Sequence, residues 1–190
     1  MKTYKCKIMN SNRHVHLNRS CLDAIYGPGY ELTVKRPVDG PIFVANEKVT
    51  LTGPKGSIHN VTVLGPLRPY TQAEILRADR WLLGIEAPVA LSGATGTAPF
   101  TISGPYGSLE CPQGMQVAKR HLHISERDAA AWGLTERQAV KVWVGGERAL
   151  VFEQVVAVFA DMDEPTIHVD LEEGNAGWIS NGDMVDVIVD

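Results

Sequence analysis

Cysteine is scarce in this chain: three residues in 190, none in Cys-x-x-Cys spacing. An odd, unspaced set excludes a disulfide framework and a thiolate zinc site, so Cys6, Cys21 and Cys111 read as core or ordinary free thiols. No apolar run is long enough to span a bilayer. The opening MKTYKCKIMN has charge but neither an apolar stretch nor a small-residue cleavage site, so it does not read as a secretory signal and a cytoplasmic protein is expected. Net charge is −4, with Lys and Arg scattered rather than clustered. Nucleic acid and membrane are therefore not expected partners, and a charged small molecule is the class left open.

Long helices alternating with strands are also lacking, which argues against a doubly wound sheet or a TIM barrel. What the chain has instead is short apolar runs punctuated by Gly and Pro. Strands are expected at Tyr4 to Met9, Lys48 to Leu51, Ile58 to Leu64, Thr71 to Leu76, Val89 to Leu91, Phe100 to Ile102 and Val117 to Ile124. More follow at Val140 to Val144, Leu150 to Phe159, Thr166 to Val169 and Met184 to Val189. Short helices are expected at Ser20 to Tyr26 and Arg77 to Leu83, with a third running from a Ser125 cap to Trp132. Residues 30–44, broken by Pro, read as a small hairpin or flap. This spacing suggests β-barrels, and with 44% hydrophobic residues the chain can bury the core they need.

Two stretches stand out: RHVHL at Arg13 to Leu17 and RHLHI at Arg120 to Ile124. They hold four of the six histidines, each pair behind an Arg. Alternate residues of a strand share a face, so His14 and His16 can reach one metal ion, and so can His121 and His123. A second repeat, GPKGS at Gly53 and GPYGS at Gly104, hints at related halves. The two repeats do not recur in one order, so the chain is not a simple tandem copy. In Thr71 to Leu76, alternation puts Gln72 and Glu74 on one face, which makes Glu74 a candidate carboxylate ligand. His168 sits in an apolar-flanked strand, where a lone His is more often core; His59 reads as surface.

In SNRHVHL, VTLTGPKGSI, VLGPLRPYTQAEI, VAKRHLHIS, GERALVF and HVDLEEGNAG, taken in order, the chain resembles the phosphate propanoyltransferases, the PduL-type phosphotransacylases associated with bacterial microcompartments. The resemblance implies a mainly β fold of two β-barrel domains capped by short helices, with the active site between them. One barrel would take residues 1–12 plus 120–190 and the other 13–119, with 30–44 a small flap over the site. It implies two Zn2+ ions, one on His14, His16 and Glu74, the other on His121, His123 and His168. It further implies Arg68, Gln72, Ser92 and Asn175 as catalytic residues, and Ser11, Arg68 and Asn175 in cofactor binding. Acyl-CoA and phosphate would give acyl phosphate and CoA, reversibly. The ten residues before the first motif are too few for the amphipathic peptide that encapsulated family members carry, so no encapsulation signal is expected; microcompartment association and a homo-oligomer stay open.

The chain departs from the family pattern where positive charge is usual. Ala90 and Val158 stand where Arg is common, and RPVDGPIF replaces a SQPGQF-like stretch. Two alternatives follow: a zinc-dependent thioesterase or other CoA-thioester enzyme, and a non-catalytic CoA-binding microcompartment protein. A cupin is excluded because no Glu follows either His-x-His at the spacing that fold needs.

Overall fold

Cys6 and Ile8 are buried while Lys5 and Lys7 are exposed, and this period-two pattern makes Lys2–Ser11 a strand, β1. The computed structural model describes residues 2–189, apart from the side chain of Asp39. The chain continues through β2 (His14–His16), α1 (Arg19–Tyr26), β3 (Val34–Asp39), β4 (Ile42–Thr52), β5 (Ser57–Gly65) and β6 (Gln72–Ile75). Then come α2 (Asp79–Leu83), β7 (Val89–Ala90), β8 (Ala98–Ser103), β9 (Ser108–Ala118) and β10 (His121–Ile124). The last elements are α3 (Glu126–Trp132), β11 (Ala139–Val144), β12 (Leu150–Phe159), β13 (Thr166–Asp170), α4 (Leu171–Gly177) and β14 (Asp183–Val189).

These elements form two units: Asn12–Ala118, and the chain up to Ser11 together with Lys119 onward. In the first, β2 runs parallel to β5 and antiparallel to β6; β6 is parallel to β9, and β9, β8, β4 and β5 close the ring with antiparallel pairings. In the second, β10 is parallel to β12 and antiparallel to β13; β13 is parallel to β1, and β1, β14, β11 and β12 close the ring the same way. Each is a closed six-stranded barrel, with β3 and β7 added to the edges of the first. The fold is mainly β, with short helices, as expected. Val15, Leu51, Val63, Ala73 and Met115 fill one core. Ile8, Leu122, Val142, Val155 and Ile167 fill the other.

The identical order of pairings explains the scrambled repeats. Strand β1 leads into the first RHxH but pairs in the barrel of the second; β9 leads into the second but pairs in the barrel of the first. The two rings therefore share one order of pairings, with their leading strands exchanged. The register agrees: Met9, five residues before His14, faces His168, and Gln116, five before His121, faces Glu74. The GPxGS repeat belongs to a different relationship, inside one barrel. Its two copies turn the β4–β5 and β8–β9 hairpins, and each docks on the end of a helix. Lys55 N donates to Leu83 O at 3.0 Å, and Tyr106 N donates to Ile25 O at 3.0 Å, so carbonyls left open at the ends of α2 and α1 gain partners. Glycine is required there, since a Cβ at Gly53 or Gly104 would sit 2.4 or 2.5 Å from those same carbonyls.

Two local expectations need correction. The run from Val117 to Ile124 is two strands, because Ala118 pairs with Ala90 in one unit while His121 pairs with Val156 in the other. The helix α4 was not expected, although Asp170 and Glu173 spell its capping box. At α3, Ser125 accepts from Asp128 N as expected, but the Asp128 carboxylate returns to the Ser125 hydroxyl, at 2.8 Å.

Candidate metal and anion site

Residues opposite one another on neighbouring strands point the same way. Because Val15 and Ala73 face the core, His14, His16, Gln72 and Glu74 must project from the outside of their barrel. His14 stands opposite Glu74, and His16 opposite Gln72. The Nδ1 of His14 lies 2.8 Å from the Asn12 carbonyl, which can only accept. The proton is thereby fixed on Nδ1, and Nε2 is turned to Glu74 Oε2 at 3.3 Å. His16 is 4% exposed, with its Nδ1 buried. Burial first, then the nearby His14 and Arg68 charges, push its pKa down to about 2 against the pull of the Leu64 carbonyl. It is a neutral imidazole. The candidate ligand atoms of His14, His16 and Glu74 lie within 4.8 Å of one another, so two imidazoles and a carboxylate converge on a space that suits a borderline-soft divalent ion.

A polar chain runs from this triad to Arg68. Gln72 Nε2 donates to Glu74 Oε1 at 2.7 Å and to Ser92 Oγ at 3.1 Å. The Gly93 N–H donates to Gln72 Oε1 at 2.8 Å, and Arg68 Nη1 donates to Ser92 Oγ at 2.7 Å. Arg68 is positioned by its own backbone, whose N–H donates to Leu17 O at 2.9 Å. The four sequence candidates Arg68, Gln72, Glu74 and Ser92 are thus brought into one network. Sequence reasoning missed Gln116, which is 0% exposed, faces Glu74 across the strands and donates to Ala90 O at 3.0 Å. Its Oε1 has no hydrogen-bond partner among the described residues. A Gln set between the buried Met115 and Val117 is the signal that could have found it.

The second unit repeats the arrangement. His121 stands opposite His168, and Leu122 and Ile167 turn inward, so His121, His123 and His168 face out. His121 Nδ1 lies 2.8 Å from Lys119 O, the counterpart of the His14 contact. Ring centroids are 4.5 Å apart for His121 and His123, 4.9 Å for His123 and His168, and 5.2 Å for His121 and His168. Ser11 and Asn175 belong to this unit, Ser11 opposite Asp170 and Asn175 exposed on α4. His59 is exposed, as expected, and lies in β5, 3.1 Å from Thr50 Oγ1. All three cysteines are free and buried.

A family model for phosphate propanoyltransferase matches residues 7–180. A protein from Thermotoga maritima named phosphate propanoyltransferase is 43% identical over 181 residues, covering 94% of this chain and 86% of its own length. One of the same name from Clostridioides difficile is 42% identical over 180 residues, with 94% and 86% covered. A third, from Rhodopseudomonas palustris, is 45% identical over 177 residues, with 92% and 78% covered. With the match spanning both barrels and both histidine motifs, the chain belongs to the phosphate propanoyltransferase family.

Proposed function

We propose that this protein is an acyltransferase that converts an acyl-CoA, propanoyl- or acetyl-CoA, and inorganic phosphate to acyl phosphate and CoA, reversibly. The observation that carries the reading is the hydrogen-bonded chain from Arg68 through Ser92 and Gln72 to Glu74, which sets an anion-binding guanidinium beside a triad fit for a cation. His14, His16 and Glu74 would hold one zinc ion, and His121, His123 and His168 a second. Zinc supplies positive charge that polarises a thioester carbonyl and favours the thiolate form of the leaving CoA.

The residues of the chain do the rest. Arg68 offers a planar fork of donors to phosphate and fixes its line of approach. Gln72 and Ser92 hold that fork in register with Glu74. A phosphate oxygen forms the new bond to the acyl carbon, the carbon–sulfur bond breaks, and the electron pair leaves on sulfur. No acyl-enzyme is needed. Cys21 and Cys111 lie in a barrel core, and burial pushes the Cys6 thiol up to about 12. Among the described residues no helix is long and apolar enough to cross a membrane.

The test is CoA release from acetyl- and propanoyl-CoA with and without phosphate, alongside elemental analysis. Phosphate-dependent release with close to two divalent ions per chain is expected. Phosphate-independent release would favour the thioesterase, a reading that the missing charge at Ala90 and Val158 gives some footing. Tight CoA binding without turnover would favour a binding protein. Protein with no tightly held transition metal would sink the zinc assignment.

A further inference from the structure

Each RHxH motif begins with an arginine that the proposed chemistry does not use, and both arginines end on an acid in the same topological place. Arg13 Nε donates to Asp79 Oδ2 at 2.6 Å, and Arg120 Nη1 donates to Glu173 Oε1 at 2.8 Å. Asp79 is the fifth residue after Glu74, and Glu173 the fifth after His168. Both acids sit in the first turn of the helix that follows the strand bearing the third residue of each triad. We propose that Arg13 and Arg120 are positioning residues, each clamping the start of its His-x-His strand to the chain leaving the opposite strand and so setting the spacing of His14 to Glu74 and of His121 to His168. The proposal rests on the reading that these clusters hold ions.

The short ladders make such a clamp necessary. Strand β2 has three residues and β6 has four, so few backbone bonds fix one against the other. A site that holds an ion needs its ligands within about 0.5 Å of the productive arrangement. Asp79 is 2% exposed and also accepts from Leu76 N at 2.9 Å, so it ties Arg13 to the exit of β6. In the other unit, Glu173 is held by its capping box with Asp170, and Arg120 further donates through Nε to Glu153 O at 2.8 Å. One link uses an Asp at the first helical residue and the other a Glu at the third. Different side chains thus arrive at the same connection in the two copies.

The experiment compares wild type with Arg13→Gln, Arg13→Lys and Arg120→Gln. Zinc affinity is measured by competition with a chromophoric chelator, the ring nitrogens of each histidine are followed by NMR, and thermal unfolding is recorded without metal. Arg13→Gln should weaken zinc about tenfold to a hundredfold at His14, His16 and Glu74, the range for groups that orient ligands, and leave the other cluster unchanged. Arg120→Gln should do the converse, and Arg13→Lys should recover part of the loss. In metal-free protein, Arg13→Gln should move the His14 ring resonances and not those of His121. Lower stability with unchanged zinc affinity and unmoved ring resonances, or equal weakening of both sites, would overturn the clamp. Wild type that takes no zinc would instead sink the reading of the site, leaving the metal-free resonances to judge the arginines.

Discussion

Val158 is the direct cross-strand neighbour of His123. It shares a face with Val156, which stands beside His121, while Val155 and Ala157 alternate with them and Val155 enters the barrel core. The side chain of Val158 is only half-buried. An arginine there would lie beside the histidine cluster and reach solvent, escaping the several-kcal/mol cost of an unpaired charge in a closed core. Val158→Arg should therefore fold, and if the anion site has been thinned of charge it should lower the KM for phosphate, more so with Ala90→Arg. Ala90 lies on the face that carries Gln116 and Glu74. A destabilised protein with no gain in phosphate use would mean a site rebuilt for another acceptor.

Glu74→Ala should lose one metal equivalent with little effect on folding. Its neighbours Ala73 and Ile75 keep the apolar face of β6 intact. Metal content by elemental analysis and unfolding of the metal-free protein decide this together; unchanged metal content would reduce Glu74 to a surface charge.

Arg68→Ala should reduce phosphate-dependent turnover by about tenfold to a hundredfold, since a hydrogen bond to a charged group contributes roughly 1.5–3 kcal/mol. CoA binding, measured separately by calorimetry, should change far less. Equal loss of both would place Arg68 on the coenzyme rather than on phosphate.

Glu47 gives a pH prediction. It is 5% exposed and accepts from Thr33 Oγ1 at 2.8 Å, Thr33 N at 3.1 Å and Tyr30 Oη at 2.9 Å, tying the segment before β3 to β4. Burial acts to raise its pKa, but these donors outweigh burial and hold it below the ordinary 4.5. The folded state therefore binds this proton less readily than the unfolded chain. Its contribution is full above about pH 4.5 and is lost as pH falls through the lower, folded value. Glu47→Gln should abolish that part of the acid dependence, seen as a flatter unfolding midpoint as pH falls below about 4.5.

The sequence by itself determined which residues could share a site. Period-two alternation placed His14 with His16, His121 with His123 and Gln72 with Glu74, because in a strand the side-chain direction is a local property. It also determined the Gly-Pro turns, whose backbone needs are local too. It could not decide which strands pair or in which register, since those bonds join residues far apart in the chain. The exchange of β1 and β9, the break at Lys119 and Arg120, and the burial of Gln116 against Glu74 all follow from such pairings. So do the arginine–acid links, whose partners are 66 and 53 residues apart. Only closing the second ring turned Leu122 and Ile167 inward, and with that inward turn His121, His123 and His168 came together on the outside.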